Sequence, residues 1–149
     1  MSKKRKIMLA LLGVLVILQF IGIDKTAPET PENTDFIQLE KPPQQVAEIL
    51  KNACYDCHSH NTKYPWYTNI QPLGMWIKGH VKGGRQHLNF SLWGNYDSKK
   101  KAHKMEEIFE EVLEKHMPMK SYTFLHDEAK LSDEDRKAST DWAKGSAPQ

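Results

Sequence analysis

Residues 44–59 read QQVAEILKNACYDCHS, and our prediction of a helical fold starts from this segment. Its apolar residues recur at three- and four-residue intervals, at Val46, Ile49, Leu50 and Ala53. This spacing is typical of an amphipathic helix, and a proline pair directly before it suits a helix start. The pattern predicts a helix over 44–52 that runs directly into the first cysteine.

The five residues Cys54-Tyr55-Asp56-Cys57-His58 have the form C-x-x-C-H, which is the attachment signature of c-type haem. Two cysteines three positions apart can present both sulfurs to the two vinyl groups on one side of a porphyrin and form thioethers. The adjacent histidine then lies under the ring, where its imidazole can bind the iron. We therefore predict one covalently attached haem c, held by Cys54 and Cys57, with His58 on its iron.

Other uses of the two cysteines are less consistent with the sequence. A thioredoxin-type C-x-x-C follows a strand and lacks the histidine, whereas here a helix leads into the motif. A disulfide between the two would close a very short loop with little entropic benefit. Zinc binding by the cysteines and two nearby histidines is chemically possible, but the spacing fits no familiar zinc finger. The histidines in question are His58, His60, His80 and His87.

A sixth iron ligand would distinguish electron transfer from ligand binding. Met117, followed by Pro118, is the best candidate because a methionine just after a helix can swing its thioether to the iron. Met119 could compete, and His116 is interpreted as a surface or capping side chain. Arg85 is a candidate partner for a haem propionate. Weaker signals come from His80, His87, His103 and His126.

The rest of the domain also has helical patterns, and no strand pattern competes with them. We predict helices over 72–81, ended by Gly83-Gly84, over 99–116, and over 132–145, with Ser132 as the N-cap of the last. Phe90 and Trp93 are predicted packing anchors between the first two of these helices. The sequence therefore predicts an all-α domain.

The amino terminus combines four consecutive bases, Lys3 to Lys6, with an uncharged apolar run over 7–23. A basic end before an apolar run is an export signal that leaves the basic side in the cytoplasm. We predict an uncleaved transmembrane helix, with a cleaved signal peptide as the alternative. The predicted organisation is a membrane segment over 1–23, a proline-rich tether over 24–43 and a periplasmic domain over 44–145.

Composition excludes several classes of protein. A chain of 149 residues with two cysteines and one apolar run is neither a multi-domain enzyme, a polytopic transporter nor a disulfide-stapled miniprotein. The formal net charge is +2. Removing the four amino-terminal bases from the 21 leaves 17 against 19 acids, so residues 24–149 carry a charge of −2. Net charge therefore gives no support for nucleic-acid binding.

Several motifs occur in a characteristic order: C-Y-D-C-H-S at 54–59, Y-P-W-Y at 64–67, L-N-F-S-L-W at 88–93, Met117-Pro118 with Tyr122, and H-D-E-A-K-L-S at 126–132. Over residues 44–144 this series resembles the small bacterial haem-binding domain family related to cytochromes c. The resemblance implies an all-helical, cytochrome-c-like domain around one haem bound through Cys54, Cys57 and His58. It also favours Met117 over Met119 as the sixth ligand.

These observations predict a membrane-anchored monohaem c-type cytochrome that passes single electrons between redox partner proteins and is not an enzyme. The alternative is a haem-based sensor or ligand-binding module with a labile sixth ligand. A peroxidase-like enzyme would need distal acid–base groups, for which His60 and His80 are the only suspects. Seven bases against one acid between Lys78 and Lys104 could steer an acidic redox partner.

Overall fold

A computed structural model describes residues 1–146, and every regular element in that range is helical. The predicted all-α class is therefore confirmed. The α-helices are α1 (Lys3–Leu18), α2 (Phe36–Glu40), α3 (Gln44–Ala53), α4 (Tyr55–His58), α5 (Leu73–His87), α6 (Ser98–Leu113), α7 (Lys120–Thr123) and α8 (Asp133–Ser146). Short 3₁₀ turns cover Trp66–Asn69, Phe90–Asn95 and Asp127–Ala129.

The core forms where α8 packs on α6 and α3, with aromatic side chains at its centre. Phe36 is fully buried, and its ring lies 4.7 Å from Phe90 and 4.6 Å from Trp93 between centroids. The Trp93 ring meets Phe36 edge-on, which is a favoured aromatic geometry. Phe90 and Trp93 are thus the packing anchors that the sequence predicted.

Local end signals explain most helix boundaries. α3 begins at Gln44 as predicted and ends at Ala53. Ser132 caps α8 as predicted, because its hydroxyl accepts from the Asp135 amide while the Asp135 carboxylate accepts from the Ser132 amide. α6 stops at Leu113 rather than at the predicted His116, because the backbone turns left-handed at Lys115 with a φ of 63°.

The predicted end of the helix before Gly83-Gly84 is wrong, because α5 continues through both glycines to His87. Neither glycine has a positive φ, so neither acts as a helix cap. An added Cβ at Gly84 would lie 2.7 Å from the Cys57 carbonyl oxygen. Gly84 therefore serves the close packing of α5 against α4 and does not end the helix.

The tether was predicted over residues 24–43, but its second half is part of the folded domain. Phe36 from α2 lies in the core, and the Thr34 hydroxyl donates to the Ser91 carbonyl at 2.7 Å. The Tyr55 hydroxyl lies 3.2 Å from both carboxylate oxygens of Asp35, the N-cap of α2. The boundary predicted at Gln44 is therefore too late, because short-range patterns do not reveal that α2 buries an aromatic ring.

The prediction of a transmembrane helix over residues 7–23 is wrong. Among residues 1–146 no helix is both long and apolar enough to cross a membrane. α1 has 16 residues and begins with four bases, so its apolar part, Ile7 to Leu18, spans about 18 Å against a hydrocarbon core of about 30 Å. Directly after the helix, the side-chain amide of Gln19 donates to the Gln71 carbonyl at 2.9 Å and accepts from the Gln71 backbone amide at 3.0 Å.

Candidate functional site

The C-x-x-C-H motif forms its own short helix, α4, directly after α3. The amides of Cys57 and His58 both donate to the Cys54 carbonyl, at 3.2 and 3.0 Å. Tyr55 is buried and stacks on Phe90 with 5.0 Å between ring centroids, which anchors the motif to the core. Both cysteines are half-buried free thiols, so the structure does not contain the alternative disulfide.

Burial raises the pKa of both thiols, to about 12 for Cys54 and about 11 for Cys57. Redox-active C-x-x-C motifs have depressed thiol pKa values, so the environment here is the opposite of a thioredoxin-type site. The two cysteines lie three positions apart, Cys54 as the N-cap of α4 and Cys57 within it. This donor pair fits attachment to a porphyrin through thioethers.

One of the two ring nitrogens of His58 makes a hydrogen bond that orients the imidazole. Its Nδ1 donates to the Leu88 carbonyl at 3.1 Å, which fixes the tautomer and leaves Nε2 with a lone pair. Burial lowers the pKa of His58, so the imidazole is neutral at neutral pH. A neutral, oriented imidazole is the form that binds iron, and the side chain therefore fits the role of axial ligand.

Arg85 supports the loop that follows the motif. Its Nε donates to the Ser59 carbonyl at 2.7 Å and its Nη2 donates to the Thr62 hydroxyl at 2.9 Å. Thr62 in turn donates to the Asp56 carbonyl at 2.7 Å. These bonds give Arg85 a structural role that the sequence did not indicate, while its pairing with a haem propionate stays a prediction.

Met117 and Met119 lie half-buried between α6 and α7, in a non-helical stretch that we call the Met117 segment, residues 114–119. The Met117 amide donates to the Glu111 carbonyl at 3.0 Å, and the Met117 carbonyl accepts from Arg136 Nη1 at 3.0 Å. The segment is thereby tied to α6 and α8 through the Met117 backbone. This leaves the Met117 side chain out of the segment's own hydrogen bonds.

One group of residues near the motif was missed by sequence reasoning. The Tyr122 hydroxyl donates to Asp56 Oδ2 at 2.7 Å, and its ring stacks on His126 with 4.2 Å between centroids. His126 Nε2 lies 2.6 Å from the Tyr67 hydroxyl. Tyr67, Tyr122 and His126 occur in the motifs quoted above, but they are far apart in the chain. No spacing rule could have brought them together.

The remaining candidate histidines are not gathered into a site. His60 is buried with both ring nitrogens engaged, Nδ1 donating to Thr30 and Nε2 accepting from Asn89, each at 3.0 Å. His80 Nδ1 donates to the Trp76 carbonyl within α5. Across residues 1–146, no group of three or more His, Cys, Asp or Glu side chains is placed to hold a metal ion. His87, His103 and His116 are exposed.

A family profile described as a haem-binding domain matches residues 13–145. The chain belongs to the haem-binding domain family. The match begins well before Gln44 and so includes the segment that carries Phe36. No curated protein and no solved structure shows significant similarity to the chain. Membership in this family supports haem as the cofactor of the protein, in agreement with the resemblance seen in the sequence.

Proposed function

We propose that this haem-binding domain protein is a monohaem c-type cytochrome that transfers single electrons between redox partner proteins. Cys54 and Cys57 would form the two thioethers, and His58 and Met117 would be the protein ligands of the iron. Bound haem would supply a one-electron iron couple. The protein's own contribution would be to hold both axial ligands and to exclude other ligands.

The observation that carries this proposal is the hydrogen bond from His58 Nδ1 to the Leu88 carbonyl. A histidine that ligates a metal almost always donates its other ring N–H to a carbonyl or carboxylate, which fixes its orientation and raises its basicity. His58 has this arrangement and directly follows the two free thiols. A histidine with only a packing role would need neither an oriented Nδ1 nor two neighbouring free thiols.

Met117 favours electron transfer over ligand binding. A thioether as sixth ligand raises the reduction potential and closes the iron to small molecules. The backbone of Met117 is fixed by bonds to α6 and α8, so the residue is held in one place without using its sulfur. The alternative, a sensor with a labile sixth ligand, would require this fixed segment to release easily.

We further propose that the haem domain works in the periplasm. The bases at positions 3–6 followed by an apolar helix have the character of an export signal, and thioether attachment of haem takes place outside the bacterial cytoplasm. Exposed bases at the start of α6, Lys99 and Lys100, would favour encounter with an acidic partner surface.

Expression together with the haem-attachment machinery tests the cofactor. We expect haem that stays with the protein after acid–acetone extraction, because thioether bonds survive this treatment. Complete loss of haem to the solvent would contradict covalent attachment.

Visible spectra test the function. We expect a low-spin ferrous haem that is indifferent to carbon monoxide, and a methionine–iron charge-transfer band in the ferric protein. Ready binding of carbon monoxide by the native protein would support the sensor instead.

Separate Met117→Ala and Met119→Ala variants test the sixth ligand. The charge-transfer band should disappear only in Met117→Ala. Its loss in Met119→Ala alone would assign the ligand to the second methionine, and the matched pair controls for general effects of removing a methionine from this segment.

A further inference from the structure

The Met117 segment is connected to the rest of the protein on two sides, and the two connections differ. On one side, the Met117 amide donates to the Glu111 carbonyl of α6, and the Met117 carbonyl accepts from the Arg136 side chain of α8. On the other side the chain enters α7, which is only four residues long and contains no buried residue. A helix this short needs tertiary contacts to keep its place.

Tyr122 supplies such a contact to the attachment motif. Its hydroxyl donates to Asp56 Oδ2 at 2.7 Å, a charge-assisted bond between residues 66 positions apart. Partial burial and the hydrogen bond to Asp56 raise the pKa of Tyr122, so the phenol keeps its proton and remains a donor. The bond therefore joins α7 to the peptide that carries both cysteines.

Asp56 is a fixed point for this bond. It lies between Cys54 and Cys57, and its second oxygen, Oδ1, accepts from the Lys63 amide at 3.0 Å. Attachment of both cysteines to one porphyrin would further restrict the peptide between them. The carboxylate thus orders the loop after the motif on one side and receives α7 on the other.

The Tyr122 ring is also held in orientation. His126 stacks on it with an interplanar angle of 15°, and the Tyr67 hydroxyl lies 2.6 Å from His126 Nε2. Glu128 is 3.1 Å from the other nitrogen of His126. The phenol is consequently directed at Asp56 by a supported ring rather than by a freely rotating side chain.

We propose that Tyr122 is a positioning residue, whose hydrogen bond to Asp56 holds the Met117 segment against the C-x-x-C-H motif and sets how firmly the sixth ligand stays on the iron. This inference rests on the proposed ligation by Met117. Tyr122 would act through Asp56 and not as a ligand of the iron. Without the bond, the segment would keep only its contacts with α6 and α8, and an external ligand would displace the methionine more easily.

The test uses the haem-loaded full chain and imidazole as a competing ligand for ferric iron. Tyr122→Phe keeps the ring and removes the hydroxyl. We expect it to bind imidazole about tenfold more tightly than wild type, a shift of about 1.4 kcal/mol. Asp56→Ala should have a similar effect, and adding Tyr122→Phe to Asp56→Ala should change little, because the two residues act through one bond.

Thr34→Val is the control. It also removes a hydroxyl that donates a hydrogen bond to a residue distant in the chain, in this case to the Ser91 carbonyl at 2.7 Å, and Thr34 belongs neither to the C-x-x-C-H motif nor to the Met117 segment. Its imidazole affinity should stay within twofold of wild type. If Tyr122→Phe also stays within twofold, or has its full effect when Asp56 is already Ala, the positioning role is refuted.

Two further measurements separate failure of this inference from failure of the proposed function. If wild type lacks the methionine–iron band and Met117→Ala binds imidazole as wild type does, ligation by Met117 is wrong. Hydrogen exchange then still decides the positioning role, because Tyr122→Phe should speed exchange of the amides over 119–124 only if the bond holds this region. Unchanged exchange would overturn the inference.

Discussion

Two neighbouring glycines in α5 allow a sharp test of how the motif is packed. Gly83 and Gly84 are both interior to α5, but a Cβ at Gly83 would meet nothing within 4 Å. A Cβ at Gly84 would lie 2.7 Å from the Cys57 carbonyl oxygen and 3.2 Å from its carbon. Both obstacles are backbone atoms, so they cannot move aside by changing a rotamer.

The expected effects have opposite signs. Replacing glycine by alanine inside a helix stabilises by about 0.5–1 kcal/mol when the space is free, and this is the prediction for Gly83→Ala. Gly84→Ala has the same stabilising effect on the helix itself. The clash, however, requires α5 and α4 to separate, which costs about 1–3 kcal/mol of folding free energy. Gly84→Ala should therefore be less stable than Gly83→Ala by about 1–3 kcal/mol.

Urea unfolding of the haem-loaded variants, followed by circular dichroism at constant pH, measures this difference. For a domain of this size, 1 kcal/mol corresponds to roughly 4–8 °C in Tm, so thermal unfolding gives a second reading. Gly79→Ala also meets nothing within 4 Å and serves as a further control in the same helix. Equal stabilisation by Gly83→Ala and Gly84→Ala would refute the close packing of α5 on the motif.

Three other predictions concern the domain boundary, Arg85 and the thiols. Phe36→Ala should destabilise the protein by about 3–5 kcal/mol in urea unfolding, because the ring is fully buried. Phe124→Ala, at an exposed ring, should cost less than about 0.5 kcal/mol. Similar losses in the two variants would place Phe36 outside the core. Arg85→Met should lower the free energy of unfolding by about 2 kcal/mol, because it removes the bonds to Ser59 and Thr62. Lys82→Met on the same helix should lower it by about 0.5 kcal/mol or less. Equal losses would contradict a structural role for Arg85. After unfolding in guanidinium, the haem-loaded protein should react with no maleimide at Cys54 or Cys57, as measured by mass spectrometry. Protein made without the attachment machinery should react with two maleimides, one at each cysteine. Labelling of both samples would exclude thioethers.

Helices with strong local signals were predictable, and those that depend on distant contacts were not. α3 and α8 have regular apolar spacing, and α8 has a capping residue, so their starts follow from neighbouring residues alone. The extent of α5 was mispredicted because Gly83-Gly84 suits either a helix end or a close helix contact. Only the position of the Cys57 carbonyl distinguishes these two roles.

The amino-terminal half of the chain shows the same limit. α2 has five residues and lies among prolines, so its sequence resembles a tether, yet it contributes a fully buried ring to the core. The apolar run after residue 6 is long enough to suggest a membrane helix. Its α-helix stops at Leu18, and the next residue, Gln19, pairs with Gln71, which is 52 positions away.

Local sequence was sufficient to predict the all-helical class and to locate the C-x-x-C-H motif, because each depends on residues within a few positions of one another. The tertiary structure alone decided which His58 nitrogen is free, which partners Arg85 binds and what ties the Met117 segment to Asp56. These arrangements join residues 23 to 66 positions apart. Their geometry is created by packing around a common core, and no local pattern encodes it.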